Sequence, residues 1–472
     1  MRRSRALGIG MLVAGIALAG CSTYAPAPLG DGRGTTDLVH FTVPASSMPT
    51  RDLAAHRFDP SDGLDVTEVA MLAVANNPDL KVKRDALGVA QAQAFAAGLL
   101  PDPQLGLSRD LPSGNAPTEP GIVTTSAFSL GLNYDIGALL THSATLGAAR
   151  STRDQVRLDL LWAEWQTIAQ ARLLFGQVLA TRSQEQRLSR EVAALAPFDH
   201  QVQMALSAGN LTFDQASAGL NAVSDVRRQS AEASRQRNQA EHDLRLLLGL
   251  APQVPLDLIG TPYDSTTQPT EVQLQQALDE LPARRPDLLA LKAGYAAQEA
   301  TLRVAVIAQF PAINVGFTRA RDNSDVYTNG FNIGITLPLF NRNRGNIAIE
   351  KATRQQLHDD YDARLLGTRS DMLQLQQDLA SFQTQVVALT EHTHQLDVAS
   401  AAGERAWQAN LMDWPTYLSI RSNALSADLE LITLQQEQAT QAIALETLLG
   451  GDWTDRALSA SSSHHLTSKQ QP

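Results

Sequence analysis

Two stretches of the chain alternate strictly between apolar and polar or small residues: Phe-Ser-Leu-Gly-Leu-Asn-Tyr-Asp at 128–135 and Phe-Asn-Ile-Gly-Ile-Thr-Leu-Pro-Leu at 331–339. In a β-strand, a period of two places all the apolar side chains on one face. A shorter stretch of the same kind precedes each, at 104–108 and at 314–318. The sequence therefore predicts two β-hairpins with amphipathic strands, the arrangement that a wall between lipid and water requires.

A soluble, half-buried sheet shows the same alternation as a membrane sheet. The surroundings of the hairpins favour the membrane. The predicted turns, at 109–125 and 319–329, are polar and rich in Gly, Pro, Asn and Asp, as solvated loops are. No proline interrupts 144–195 or 345–410, so continuous helices of about 50 to 65 residues would reach roughly 75–100 Å. Such helices suit the wall of a tunnel. A coiled-coil scaffold explains them equally well, but it does not explain the hairpins.

The chain is built from two copies of one plan. Asn-Pro-Asp-Leu at 77–80 returns as Arg-Pro-Asp-Leu at 285–288, and 209–249 aligns with 410–450 without a gap. Each copy is predicted to run helix, hairpin, long helix, turn, helix. The predicted organisation is a first repeat over 66–250, a linker over 251–270, a second repeat over 271–451 and a disordered tail over 452–472.

The first residues carry an export signal. Three arginines precede an apolar run from Ala6 to Ala19, which is typical of a secretory signal over 1–20 and too short to span a bilayer. The run leads through Gly20 into Cys21, and this resembles a bacterial lipobox in which Cys21 would be acylated, with palmitate among its lipids. The predicted mature chain then begins with a lipidated, extended segment over 21–65. Because Cys21 is the only cysteine, an intrachain disulfide and a cysteine-built metal cluster are excluded.

Composition excludes several function classes. The net charge of −11 becomes −14 once 1–20 is removed, because that segment carries three arginines and no acid, and an acidic chain is a poor nucleic-acid binder. No later apolar run approaches the roughly 20 residues of a spanning helix. No phosphate loop or catalytic triad stands out, so no enzymatic activity and no cofactor are expected. His392 and His394 would lie on different faces of a helix, and no metal site is predicted.

The lipobox, the duplicated plan and the Leu-Leu-Gly half-ends together resemble the TolC-like outer-membrane efflux family, over nearly the whole mature chain. The stretch at 337–347, Leu-Pro-Leu-Phe-Asn-Arg-Asn-Arg-Gly-Asn-Ile, is similar to the strand-to-helix junction of its heavy-metal (cobalt-zinc-cadmium) branch. We expect Pro338 to end the strand ladder and Gly345 to permit the sharp change of direction. The first copy has Tyr-Asp-Ile-Gly at 134–137 instead, so its junction is expected to be built differently.

The resemblance implies a mainly α fold with a small transmembrane β part. In a homotrimer, each subunit would give four strands to a shared β-barrel and long coiled-coil-like helices to a periplasmic α-barrel. The implied function is the exit duct of a tripartite efflux system, lipid-anchored in the outer membrane, with a periplasmic adaptor (membrane fusion protein) and an inner-membrane pump of the RND type as partners. Heavy-metal cations are one substrate class, and drugs and other small organic molecules are another.

Two alternatives from other classes remain. One is a periplasmic coiled-coil scaffold lipoprotein without a pore. The other is the adaptor of the same machine, which is disfavoured because no β-rich block separates the helices.

The two helix-to-helix turns should form the periplasmic end of the molecule. Gly209 and Asn410 are the residue types best suited to a left-handed turn, and Thr212 and Asp413 are suited to cap the helices that follow. Turn chemistry alone explains all four residues. The resemblance adds that these turns dock the adaptor and ring a closed aperture.

The usual acidic gate of the family is missing from its place. The aspartates that narrow the aperture in the best-known member fall here on Thr416 and Ser419. Asp413, or Asp214 in the first copy, could supply a carboxylate ring instead, because three symmetry copies near an axis would attract cations. The simpler interpretation is that the carboxylate is a solvated helix cap.

Overall fold

The structure is a computed structural model that describes residues 24–30, 32, 34–38, 41–111, 125–210, 212–261 and 270–449, without the side chains of residues 214, 215 and 218. The predicted signal over 1–20, the lipidation site Cys21 and the tail over 452–472 lie outside the described residues. So does the side chain of Asp214.

The described residues form nine α-helices and four β-strands, arranged as two copies of one plan. The first half contains α1 (Arg51–Ala55), α2 (Val66–Asn76), α3 (Pro78–Gly98), β1 (Gln104–Asp110), β2 (Ala127–Asp135), α4 (Ile136–Ser207) and α5 (Phe213–Leu247). The second half contains α6 (Glu271–Arg284), α7 (Pro286–Ile307), β3 (Ala312–Arg321), β4 (Tyr327–Thr336), α8 (Arg344–Gln408) and α9 (Trp414–Leu449). The predicted order of helix, hairpin, long helix, turn and helix is confirmed in both halves.

Each copy begins with the same local chemistry. Asp65 caps α2 and Thr270 caps α6, and each forms a reciprocal capping box with the residue three positions later. A capping box satisfies two backbone N–H groups that the first turn of a helix leaves free. In each copy a proline then occupies the first turn of the next helix, α3 or α7, where its missing N–H costs nothing.

The two hairpins join into one antiparallel sheet in the order β1-β2-β3-β4. The shared register puts Leu105, Leu132, Phe317 and Phe331 in one row across the sheet. The next row along, on the opposite face, holds Gln104, Asn133, Gly316 and Asn332. One face is therefore apolar and the other is polar or small, as the alternation predicts.

The strand boundaries differ from the prediction. A turn of only five residues, 322–326, separates β3 from β4. The predicted turn at 319–329 is therefore too long. The ladder pairs Arg319 and Arg321 in regular register, which extends the strands beyond their apolar part. At the other end β4 stops at Thr336, so Leu337 and Leu339 lie outside the strand. Pro338 follows closely, and its lack of an N–H prevents the ladder from continuing.

The first long helix, α4, is longer than predicted, whereas α8 has the predicted length. α4 has 72 residues and α8 has 65, which is roughly 108 and 98 Å at 1.5 Å per residue. α4 continues through Pro197, and it packs against α2, α3, α5, α7 and α9. Within the described ranges, no helix is long and apolar enough to cross a bilayer.

The two strand-to-helix junctions differ, as expected. β2 runs into α4 without a loop, and the Asp135 carboxylate caps the helix by accepting from the Ala138 N–H at 3.2 Å. In the second copy, residues 337–343 separate β4 from α8, and the chain changes direction at Arg342 and Asn343, whose φ angles are +46° and +54°.

The expected role of Gly345 is wrong. Gly345 lies inside the first turn of α8 and its φ is not positive. The left-handed conformation falls on Asn343, which tolerates it better than most residues. The Asn343 side chain also donates to the Ala305 carbonyl at 2.8 Å, which ties the junction to α7.

A buried arginine secures the start of α7. Arg285 has no exposed side-chain surface, and its Nε and Nη2 donate to the Asp287 carboxylate at 2.9 and 2.6 Å. Arg364 of α8 donates to the same carboxylate at 2.8 Å, and the Arg285 guanidinium lies 4.7 Å from the Trp162 ring centre on α4. Arg285 and Asp287 together therefore join α4, α7 and α8. Burial alone would raise the pKa of the Asp287 carboxyl, but hydrogen bonds and charges from Arg285 and Arg364 hold that pKa below its usual range.

We expect Asp287→Asn to lower the free energy of unfolding by roughly 3 kcal/mol, because Arg285 would remain buried without its counter-charge. The measurement is denaturant unfolding of the detergent-solubilised protein near pH 7. Because the native pKa of Asp287 is lowered, its contribution is complete above about pH 4 and is lost as the pH falls further. The difference in unfolding free energy between Asp287→Asn and wild type should therefore shrink as the pH falls below about 4.

Asp79→Asn is the matched control, because Asp79 occupies the same position in the first repeat and is exposed. Equal effects of the two substitutions would contradict a special role for the buried pair.

Candidate functional site

The two helix-to-helix turns, α4–α5 and α8–α9, form the tip of the molecule, at the ends of α4 and α8 opposite the sheet. They have the same backbone geometry. Gly209 and Asn410 have φ angles of +72° and +56°, so the predicted left-handed turns are confirmed. One residue later, Asn210 donates from its N–H to the Ala205 carbonyl at 2.9 Å, and Leu411 donates to the Ala406 carbonyl at 2.8 Å. These are the six-to-one hydrogen bonds of a Schellman motif.

The residues after the turns start the next helices. The Asp413 carboxylate accepts from the Thr416 N–H at 3.0 Å. Hydrogen bonds from the Thr416 side chain and from its backbone N–H hold the pKa of Asp413 below its usual range. Thr212 stands in the equivalent position before α5. Thr416 and Ser419 are exposed on the first turns of α9. The carboxylate of Asp413 thus serves as a helix cap.

Aromatic side chains fasten the two turns to each other. Phe198 of α4 lies 5.2 Å from Trp407 and 5.1 Å from Trp414, measured between ring centres. Trp407 is stacked on Tyr417 at 5.2 Å. On the α5 side, Trp414 lies directly over Gly219, where a Cβ atom would come within 1.6 Å of the indole ring. Both copies therefore contribute to one aromatic cluster at the tip.

Two ion pairs connect α9 to α4 beside this cluster. The Arg421 guanidinium donates from Nε and Nη2 to the Glu191 carboxylate at 2.5 and 3.0 Å, and from Nη1 to the Tyr417 hydroxyl at 2.6 Å. Arg187 pairs with Asp428 further along the same helices. We call these two pairs, Arg421–Glu191 and Arg187–Asp428, the tip clamp.

The Arg421 guanidinium stays charged. Burial alone would lower the pKa of Arg421, but hydrogen bonds and charges from Glu191 and Tyr417 raise it above its usual value. Both carboxylates of the clamp are largely buried, with 13% and 14% of the side chain exposed. Charge-assisted bonds of this kind are stronger than surface ion pairs.

Sequence reasoning found the turns but missed the cluster and the clamp. Glu191 and Arg421 are 230 positions apart, and no local pattern marks them as partners. The alignment of the two copies pairs Phe213 with Trp414, yet Phe213 is 71% exposed whereas Trp414 is packed. In the part of the chain that the structure describes, no group of three or more His, Cys, Asp or Glu residues could hold a metal ion.

We expect Gly219→Ala to displace Trp414 and destabilise the tip by about 1–3 kcal/mol, the usual cost of overpacking. The readouts are a red shift of tryptophan fluorescence and faster proteolysis at the turns. Gly367→Ala is the control, because a Cβ there would meet nothing within 4 Å and alanine favours a helix. A Gly219→Ala variant as stable as this control would contradict the close contact of Trp414 with Gly219.

Comparisons with known proteins agree with this architecture. Residues 277–451 match the model of the family described as outer membrane efflux protein. The chain is 25% identical to the pyoverdine export outer membrane protein OpmQ of Pseudomonas aeruginosa, over 94% of this chain and 96% of that protein. It is 23% identical to the cobalt-zinc-cadmium resistance protein CzcC of Cupriavidus metallidurans, over 79% of this chain and 88% of that protein.

The fold is also similar to a solved structure. CusC superposes with a TM-score of 0.68 at 20% identity, covering 87% of this chain and 98% of that one. The duplicated helix-hairpin plan, the amphipathic sheet and these similarities all point to one family, the outer membrane efflux proteins or TolC-like outer-membrane factors, which this chain resembles in sequence and in fold.

Proposed function

We propose that this chain forms, as a homotrimer, the exit duct of a tripartite efflux system in the outer membrane. The duct conducts passively what an inner-membrane pump of the RND type and a periplasmic adaptor deliver. Cys21 tethers each subunit to the membrane by its lipid. The observation that carries the proposal is the four-stranded sheet, which has one apolar face, one polar face and two open edges, and continues into helices about 100 Å long.

The apolar face of the sheet is exposed in the single chain. Phe331 is 70% exposed, and Leu105 and Phe317 in the same row are also exposed. An exposed apolar surface of this extent is typical of a contact with lipid or another protein. The opposite face, with Asn133 and Asn332, suits a water-filled lumen.

The open edges of the sheet call for further copies of the chain. β1 and β4 each pair on one side only, and an unpaired edge is not tolerated in hydrocarbon. Three copies would supply twelve strands and close the ring.

The tips are proposed to ring the periplasmic aperture and to contact the adaptor. Gly209 and Asn410 give tight left-handed turns for this contact, and the tip clamp holds α9 against α4. In this proposal the clamp keeps the aperture narrow at rest. Asp413 is engaged as a cap, and its carboxylate adds negative charge near the axis.

Cargo selection is proposed to reside in the pump. One relative is named for pyoverdine export and another for cobalt-zinc-cadmium resistance, which are different substrate classes. Deleting the gene and measuring survival with zinc, cobalt, copper, dyes and antibiotics would identify the class. Sensitivity to metals alone would support heavy-metal cations as the cargo, whereas sensitivity to dyes or antibiotics would support small organic molecules.

If the chain forms a duct, it should assemble as a trimer that conducts ions. Extracted in detergent, the wild-type chain should migrate as a heat-modifiable trimer with substantial β signal, and it should conduct ions in planar bilayers. A monomeric, salt-soluble and non-conducting product would overturn the duct and support the coiled-coil scaffold.

We expect Arg421→Gln to raise single-channel conductance or open probability. Loss of a charge-assisted pair costs about 1.5–3 kcal/mol, and this would shift a closed tip toward open states by roughly tenfold or more. Arg228→Gln is the control, because Arg228 and its partner Asp225 are both exposed on α5. An intact Arg421→Gln trimer with unchanged conductance would show that the clamp does not restrain the aperture.

A further inference from the structure

We infer that three arginines on the apolar face of the sheet, Arg109, Arg319 and Arg321, bind the phosphate groups of an outer-leaflet glycolipid. We call these residues the rim arginines. The inference rests on the proposed duct, because it requires that this face of the sheet lies in the outer membrane.

Register places the rim arginines on the lipid side. Arg109, Phe128, Arg321 and Tyr327 form one row across all four strands. This row has the same parity along β1 as Leu105, so its side chains lie on the apolar face. Arg319 occupies the next row on the same face, together with Leu107, Leu130 and Asn329.

The rim arginines lie at the end of the sheet that is remote from the helices. β1 and β3 reach these residues just before their turns, whereas the helices start from the opposite end of the sheet. With the helices in the periplasm, the rim arginines face the outer leaflet. Below them the same face is apolar, through the rows of Phe317 and Val315.

The rim arginines have unused hydrogen-bonding capacity. Arg321 donates from Nη2 to the Ser126 carbonyl at 2.9 Å and lies 3.4 Å from an Asp325 carboxylate oxygen. Its Nε is buried without a hydrogen-bond partner. Among the residues that the structure describes, Arg109 and Arg319 form no ion pair. The contact of Arg321 with Asp325 is thus the only ion pair that the rim arginines form among the described residues.

The space between the rim arginines is open enough for a headgroup. A hollow of about 600 Å³ is lined by all three, together with Ser126, Phe128, Ala320 and Tyr327. Phe128 and Tyr327 are aromatic and exposed, as is typical of residues at the level of lipid headgroups.

Phosphate is the ligand chemistry that this hollow fits. Guanidinium groups bind phosphate oxygens through paired hydrogen bonds, and basic clusters at a membrane surface recognise anionic headgroups. An arginine on a lipid-facing strand is tolerated near the interface and not at the midplane. The outer leaflet of an outer membrane consists of phosphorylated glycolipid, whereas glycerophospholipids fill the inner leaflet, so the position of the rim favours the glycolipid.

The test compares the full-length wild-type trimer with the variant Arg109→Gln, Arg319→Gln, Arg321→Gln. The control is Arg150→Gln, Arg228→Gln, Arg235→Gln, which removes the same charge from exposed helix positions. Each trimer is purified in mild detergent and assayed for co-purified lipid A by mass spectrometry. It is then delipidated and heated with bisphosphorylated lipid A, dephosphorylated lipid A, phosphatidylglycerol or inorganic phosphate.

We expect bisphosphorylated lipid A to raise the dissociation temperature of wild type and control by several degrees, and the other three additives to have little effect. The rim variant should lose this shift and carry several-fold less lipid A. A shift retained in the rim variant would overturn the inference, as would an equal shift with phosphatidylglycerol or inorganic phosphate.

Ion conductance is measured on the same samples. A conducting rim variant without the lipid A shift supports the glycolipid site. A conducting wild type that lacks the shift removes the glycolipid site and leaves the duct intact, whereas a non-conducting wild type removes the duct itself.

Discussion

The unpaired edges of β1 and β4 are the constraint on which the rest of the molecule depends. A sheet with one apolar face can lie in lipid only if every backbone N–H and C=O group is paired, and one chain leaves two edges open. Closure by other copies satisfies the edges and at the same time encloses the polar face. The long helices continue from the same end of the sheet.

The duplicated plan gives each subunit two similar wall segments, but the two copies differ where the chain is most constrained. In the first copy β2 passes directly into α4, and in the second a seven-residue segment separates β4 from α8. α4 is correspondingly seven residues longer than α8. The first copy uses Asn77, which donates to the Leu247 carbonyl at 2.8 Å, where the second uses the buried pair of Arg285 and Asp287.

These differences follow from what each copy packs against. Arg285 lies between α4, α7 and α8, and a guanidinium supplies enough donors to reach a carboxylate while stacking on Trp162. The Asn77 side chain has to reach only the end of α5, and its short amide is long enough for that hydrogen bond. At the tip, Trp414 fills the space above Gly219, whereas its counterpart Phe213 has no such recess and stays exposed. A subunit with two copies of one plan therefore has one rigid tip, in which the second copy is fastened to the first.

The sequence by itself determined the features that depend on neighbouring residues. Strict alternation at 128–135 predicted an amphipathic strand because side chains on a strand have a period of two. Gly209 and Asn410 predicted left-handed turns because these residue types tolerate a positive φ. The family resemblance extended these local predictions to the arrangement of the whole chain. Where a local rule had two ways to be satisfied, the prediction was wrong: Asn343, and not Gly345, adopts the left-handed conformation.

Only the tertiary structure decided which distant residues meet. The pairing of β2 with β3, the tip clamp and the row that brings Arg109 beside Phe128 and Arg321 all join residues that are far apart in the chain. Such contacts depend on the register between strands and on the rotation of each long helix about its axis. Both are set by packing summed over many residues, so no single stretch of sequence specifies them.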